Sequence, residues 1–370
     1  MQKKKIVMYV YGDITTDARV QRAATALADQ YDLLLISNNC GKKIPNTKYR
    51  NILIGNSSFN MRNYFTTIYE AFKIVKKEKP DLFYGHDYYS STIVKLLIGR
   101  KYCKKLVYDA HELYIPQEEY PLSLRSRFFY TIEKSIVNKV DLLICASPER
   151  AEIMQRHFKL KELPTSIRNI SQLTINSDPD TEKIIQSLNY FFSKPGKTVV
   201  YAGTVMASRR IDEITRIVCQ HSNDFKLLVV GRGDADALEK IKQIAADTPT
   251  LVFAYTGAIP YKSLGAVLSR CDIGYVYNPN DILNNIYCAP NKVYEYTSVS
   301  LPILSNENLT VKKELEQNHI GIATDKLEEG LLNLSKELET YKEKCKRFSL
   351  DNPWSSEAEL LKHIIDYVIN

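Results

Sequence analysis

No apolar run in this 370-residue chain approaches the roughly 18 residues that would cross a bilayer. The seven cysteines are scattered, odd in number and never spaced Cys-x-x-Cys. That excludes a zinc cluster and a disulfide frame and predicts reduced thiols, mostly packed in the core. The first apolar stretch is not followed by Gly-x-Gly-x-x-Gly, which excludes the dinucleotide fingerprint. No carboxylate cluster is spaced to hold Mg²⁺. There is no solenoid-length repeat, no low-complexity tract and no nucleic-acid-binding motif, so nucleic acid is not an expected partner.

What is present is the length for two ordinary domains. Lys3, Lys4 and Lys5 precede an apolar stretch of about six residues, and Asp13 follows without a small-residue cleavage site. This reads as a first buried strand rather than a signal peptide, and the chain as cytoplasmic. The charge is uneven. Residues 1–180 hold 28 Lys+Arg and 19 Asp+Glu, the rest 22 and 24, giving +9 and −2 of the net +7. A basic first half suggests an anionic partner, with a membrane surface and a lipid-linked phosphate both candidates. Ordinary lysines on exposed helix faces explain the same count.

Strand-length apolar runs alternate with helical patterns almost throughout. In the first half the strands read as 5–11, 32–37, 82–86, 105–109 and 141–146, with helices near 17–30, 64–78, 90–99, 122–138 and 148–157. In the second half they read as 198–202, 226–230, 250–255, 272–276 and 301–304. Runs apolar on both faces, such as Leu142–Cys145, suit parallel sheets covered by helices. The expectation is two doubly wound α/β domains, residues 1–175 and 196–350, and a final helix in 351–370. A polar stretch, 171–197, contains Ser177-Asp178-Pro179-Asp180 and reads as the linker. Residues 325–347 read as one charged amphipathic helix.

Chemistry-bearing residues gather where strands end. Asp13 and Asp17-Ala18-Arg19-Val20 follow the first strand. Asp17 suits a helix cap, and Arg19 suits either a phosphate or an acid. His86-Asp87 and Asp109-Ala110-His111-Glu112 end two further strands. Two histidines, each beside an acid at a strand end, favour function over a lone structural histidine. Glu133 has no sure role. Arg125, Arg127, Phe128 and Phe129 alternate basic and aromatic character, which fits either a membrane contact or a helix with arginine on its wet side. In the second half, Gly203-Thr204 and Gly231-Arg232-Gly233 are glycine turns between strand and helix, and Gly257-Ala258-Ile259 follows the next strand. Arg209 and Arg210 suit phosphate. Pro290-Asn291-Lys292-Val293-Tyr294-Glu295-Tyr296 opens a short helix before Leu301-Pro302-Ile303. Its first amides and Lys292 favour an anion, and Glu295, one turn on, could accept two hydroxyl hydrogens. A surface Lys–Glu pair is the plainer alternative.

The Pro-Asn-Lys…Glu-Tyr…Leu-Pro-Ile stretch, with Asp-Ala-His-Glu and the Gly203 turn, resembles the family-4 group of GT-B glycosyltransferases. That resemblance implies two facing Rossmann-like domains with an interdomain cleft and a C-terminal helix crossing back to the first. It implies a retaining transferase moving a hexosyl group from a UDP- or GDP-sugar to a hydroxyl acceptor such as a lipid-linked glycan. The setting would be capsular, exopolysaccharide or cell-envelope glycan assembly, at the inner face of a membrane. By the match, Glu295 binds the donor ribose, Lys292 and Arg209 the diphosphate, and His111 the sugar, oriented by Glu112 or Asp109. Gly203, Thr204, Arg210, Gly231, Gly233, Gly257, Ile259, Asn284, Tyr287 and Asn291 line the donor side. Asp13, Asp17, Arg19, His86, Asp87, Asp109 and Glu112 line the acceptor side. No metal or other cofactor is implied. Two departures stand out: Tyr287 occupies the place of the usual first glutamate, and Ser300 that of a glycine. A GT-B sugar-nucleotide 2-epimerase and a non-catalytic nucleotide-sugar binder are the alternatives.

Overall fold

The computed structural model describes residues 3–15, 17–41, 47–55, 60–248 and 252–370. Thr16 of the first loop and residues 250–251 of one expected strand lie outside these. The chain divides into two compact units, Met1–Asn169 with Ser355–Asn370, and Ile170–Trp354.

The first unit is built on a parallel sheet of β1 (Lys5–Val10), β2 (Asp32–Asn38), β3 (Arg50–Ile54), β4 (Leu82–His86), β5 (Lys105–Ala110), β6 (Leu142–Cys145) and β7 (Thr165–Ser166). Their order is β3-β2-β1-β4-β5-β6-β7. Strands β1, β4 and β5 are buried along almost their whole length, as their two-sided apolar sequences require. The chain winds outward in both directions from β1, so the sheet reverses between β1 and β4. Crevices for ligands open at such a point, at the C-terminal strand ends. β3 and β7 were not expected. One is a partly exposed edge strand beginning Arg50-Asn51, the other only two residues long. The last helix, Trp354–Ile369, is fastened to this unit. Glu357 accepts the backbone amide and guanidinium of Arg168 at 2.8 and 2.7 Å, and Lys4 Nζ donates to the Ile369 carbonyl at 3.0 Å.

The second unit repeats the plan with β8 (Lys197–Ala202), β9 (Phe225–Val230), β10 (Phe253–Tyr255), β11 (Ile273–Val276), β12 (Ile303–Ser305) and β13 (Gly321–Ala323). Its order, β10-β9-β8-β11-β12-β13, reverses between β8 and β11. Two expectations need correction. The supposed linker holds a 14-residue helix, Pro179–Phe192, capped by Asp178. Ile185, Leu188 and Phe191 of this helix are buried in the unit's core. The polar Ser-Asp-Pro-Asp run is a helix start, with Asp as cap and Pro in the first turn. The units therefore part at 169/170 and 354/355, not at 175, 196 and 350. The single charged helix expected over 325–347 is two, Leu327–Lys336 and Leu338–Asp351, separated by Glu337 at φ −121°. Among the described residues no helix is long and apolar enough to cross a membrane.

If residues 179–192 are core, Leu188→Ala will cost roughly 2–5 kcal/mol of stability in urea titrations. A change near zero would return the segment to linker status.

Candidate functional site

In the second unit the polar groups collect at the ends of β8, β9 and β10. The Gly203 amide donates to the Val230 carbonyl at 2.8 Å and the Gly231 amide to the Gly257 carbonyl at 2.9 Å, so the three glycine turns are laced together. Gly203 and Gly231 stand at φ +153° and +141°, conformations that L side chains rarely adopt. A Cβ on Gly231 would lie 1.8 Å from the Gly203 carbonyl oxygen, and one on Gly203 2.7 Å from Lys292 Cε. Gly233 is likewise pressed on the Val205 backbone. Glycine is what lets the Lys292 side chain lie against the β8 turn.

Lys292 belongs to the helix Asn291–Ser298, and its Nζ stands 5.7 Å from the centre of the Tyr201 ring. Among the described residues no carboxylate lies within ion-pair distance of it. Burial pulls its ammonium pKa down, against the opposing pull of Glu295 and with further lowering from Arg209. A desolvated cation with another cation beside it, and no anion in contact, is a site that favours an incoming anion. Arg209 is held by the Tyr277 carbonyl at 3.0 Å and by Asn278. Glu295 accepts from the Tyr261 hydroxyl at 3.2 Å. Pro290 is the residue before the helix rather than its first, and Asn291 begins the helix, exposed.

Other expected donor residues are placed differently. Arg210, expected on the donor side, is exposed. It sits at φ +49° with its Nε on Glu213 at 3.0 Å. Thr204 is exposed, and its carbonyl accepts the Tyr201 hydroxyl at 2.7 Å. Asn284 lies on the short helix Leu283–Ile286 and Tyr287 just after it, both half-buried. Ile259 lines a groove of about 470 Å³ beside the helix Pro179–Phe192 and β10.

In the first unit the register decides the geometry. His86 pairs with Asp109 across β4 and β5, so both side chains leave the same sheet face. Tyr84, two residues earlier on that face, stacks on the His86 ring at 4.3 Å and donates to Asp109 at 3.2 Å. Arg19 grips the same carboxylate with Nη2 at 2.8 Å and Nε at 3.2 Å. The third nitrogen, Nη1, donates to the Ile167 carbonyl at 2.9 Å. Arg19 and Asp109 are both buried. Of the two roles open to Arg19, the structure shows the acid pair, and its burial leaves no exposed guanidinium for a phosphate. Asp17 caps the helix through the Val20 amide at 3.0 Å. Asp13 accepts from the Thr15 amide and hydroxyl at 2.9 and 2.6 Å.

His111 Nε2 stands 3.2 Å from His86 Nδ1 and 3.6 Å from Asp109. Burial would raise the Asp109 pKa, but Arg19 and His111 outweigh it and hold the carboxyl well below its usual range. Burial lowers His86. For His111 the Asp109 charge overcomes burial and the pKa rises. Of the two acids expected to orient His111, Asp109 is in place. Glu112 is paired instead with Arg150 at 3.4 Å. The His86, Asp109 and His111 ligand atoms lie within 4.8 Å of one another, a spacing that could hold a metal ion. Hydrogen bonds to Arg19 and Tyr84 already occupy the Asp109 oxygens.

Asp87 follows at φ +59°, ψ +166°, a strained region for any residue but glycine. Its Oδ1 is buried without a hydrogen-bond partner, and burial pushes its pKa up to about 6. Beneath lies Glu133, raised by burial to about 7 and bonded by the Tyr108 hydroxyl at 2.6 Å. Tyr84, Tyr201, Tyr261, Asn278 and Arg150 were missed by the sequence reading. Only Tyr84 carried a signal there, its position two residues before His86.

Residues 18–169 match the family model Glycosyltransferase Family 4. No curated protein matches the chain. Among solved structures, sucrose-phosphate synthase from Thermosynechococcus elongatus superposes with TM-score 0.75 at 14% identity, covering 99% of both chains. HepE from Anabaena, in complex with UDP and glucose, gives 0.74 at 13%, covering 98% of this chain and 100% of that one. WaaG, a glycosyltransferase involved in lipopolysaccharide biosynthesis, gives 0.70 at 13%, covering 97% and 99%. Identity this low establishes the fold. The fold is the one called GT-B, two parallel-sheet α/β domains, and the Glycosyltransferase Family 4 model matches most of the first of them.

Two substitutions test the Asp87 strain. A carboxyl whose folded pKa is raised costs stability as pH climbs from the unfolded to the folded value. Asp87→Asn should therefore gain up to about 3 kcal/mol above pH 6, fading to nothing near pH 4. Asp87→Gly should add a pH-independent gain of about 1 kcal/mol from backbone relief. Urea titrations at both pH values read the difference.

Proposed function

We propose that the chain transfers a sugar from a nucleotide diphosphate sugar, a UDP- or GDP-sugar, to a hydroxyl acceptor. The observation that carries this reading is the Lys292 ammonium, desolvated against the Gly203 turn with no anionic partner in contact. A diphosphate supplies the missing charge. The Glycosyltransferase Family 4 match supports the reaction class.

In this reading Lys292 and Arg209 meet the charge that develops on the departing diphosphate. Glu295, steadied by Tyr261, takes the ribose hydroxyls. The linked glycines let the phosphates approach the backbone. His111, oriented by Asp109, contacts the transferred sugar, and Asp87 stands beside it on the acceptor side. The bond from the anomeric carbon to the diphosphate oxygen breaks, and a bond to the acceptor oxygen forms. The acceptor proton passes to the leaving phosphate, so no protein base is assigned. The anomeric configuration is retained and no metal is needed. The acceptor is a lipid-linked glycan in envelope or exopolysaccharide assembly, consistent with the basic first half.

Thermal unfolding with UDP, GDP, ADP or CMP, with and without EDTA, tests the donor site. A ligand at about 100 times its Kd adds roughly 2.7 kcal/mol. One diphosphate should stabilise the protein, unaffected by EDTA, and Glu295→Ala should abolish the shift. No shift with any of them overturns the donor reading. Once a donor is found, glycoside product separates a transferase from a binder or an epimerase. NMR of the product's anomeric proton decides retention.

A further inference from the structure

We infer that the first unit docks on an anionic lipid bilayer through the helices Met61–Glu78 and Leu124–Ile136. Met61, Phe65 and Tyr69 recur at four-residue spacing on the first of these, so they form one stripe along it. They are 40, 46 and 58% exposed. On the second, Leu124 and Phe128 share a face at 85 and 37% exposure. The two faces are continuous, because the Phe65 and Phe128 rings stand edge to face at 6.1 Å. Scattered surface leucines need no explanation. A joined patch of aromatic and aliphatic side chains does.

Charge identifies the occupant. The first helix exposes Arg62, Lys73, Lys76 and Lys77, and the second Arg125, Arg127 and Lys134. The three acids on these helices are all engaged elsewhere. Glu70 accepts the Gly55 amide at 3.2 Å, Glu78 pairs with Lys5 at 2.8 Å, and Glu133 is buried on Tyr108. The exposed charge of both helices is thus of one sign. Glu118 and Glu119, exposed in the preceding segment, are the nearest opposing charges in sequence. Rings and aliphatic side chains ringed by cations suit the headgroup boundary of an anionic membrane. Of the two readings left open for Arg125–Phe129, the exposed Phe128 and Leu124 favour membrane contact. The inference is independent of sugar transfer, since docking needs no donor.

Co-sedimentation with vesicles tests it, using phosphatidylcholine alone or with about 30% phosphatidylglycerol. The full chain should pellet only with the anionic vesicles and be released by roughly 0.5 M salt. Arg125→Gln with Arg127→Gln should weaken partitioning roughly fivefold for each cation removed. Phe65→Ser, Leu124→Ser and Phe128→Ser together should abolish it, with the far-ultraviolet circular dichroism unchanged. Leu124→Trp, at a largely exposed position that folding does not need, should shift its emission to the blue on anionic vesicles. An unshifted Leu124→Trp spectrum, or full binding by the triple variant, overturns the inference. Self-association that the triple variant removes, without vesicle binding, assigns the patch to a second copy and also overturns it.

Discussion

The polar edge of the first unit depends on one buried ion pair, Arg19 with Asp109. Neither group could stand in the interior alone. Removing one partner of such a pair typically costs several kcal/mol. The pair ties the helix Ala18–Ala28 to the end of β5. With the Asp109 carboxylate fixed, His86 and His111 are fixed as well, since both rings stand 3.5–3.6 Å from its oxygen. Strain is then tolerated next door at Asp87, whose amide bonds to the Asp109 carbonyl at 2.8 Å. The ordering runs from ion pair to histidines to strained carboxylate, and each step leans on the one before.

The second unit inverts this electrostatic design. Its key charge, Lys292, has no acid in contact. The glycine turns of β8, β9 and β10 bring backbone amides and carbonyls close together and clear the space beside that ammonium. The first unit pairs its buried arginine with an acid, while the second leaves Lys292 without one in contact. An incomplete site stores a preference for a ligand of opposite charge, which a phosphate-bearing donor would meet.

Much of this was legible in the sequence, for identifiable reasons. Strands buried on both faces announce themselves as apolar runs, and β1, β4, β5, β8 and β9 were all anticipated. The Lys292–Glu295 helix and the strand-end histidines lie in short contiguous motifs. What escaped depends on distance or brevity. Arg19 and Asp109 are 90 residues apart, so nothing local marked Arg19 as a core residue. β7 and β13 are too short for a periodic signal. The helix Pro179–Phe192 was hidden by its own polar start, because the residues that cap a helix are also those that mark loops.

The central claim is that the ammonium of Lys292 is there to be paired by phosphate. Calorimetric titration of the stabilising nucleoside diphosphate and its parent nucleoside, against the native protein and Lys292→Ala, measures that directly. The account predicts a strong preference for the diphosphate that falls by roughly tenfold or more in Lys292→Ala, about 1.4 kcal/mol, while nucleoside affinity is unchanged. An equal preference in both proteins would contradict it.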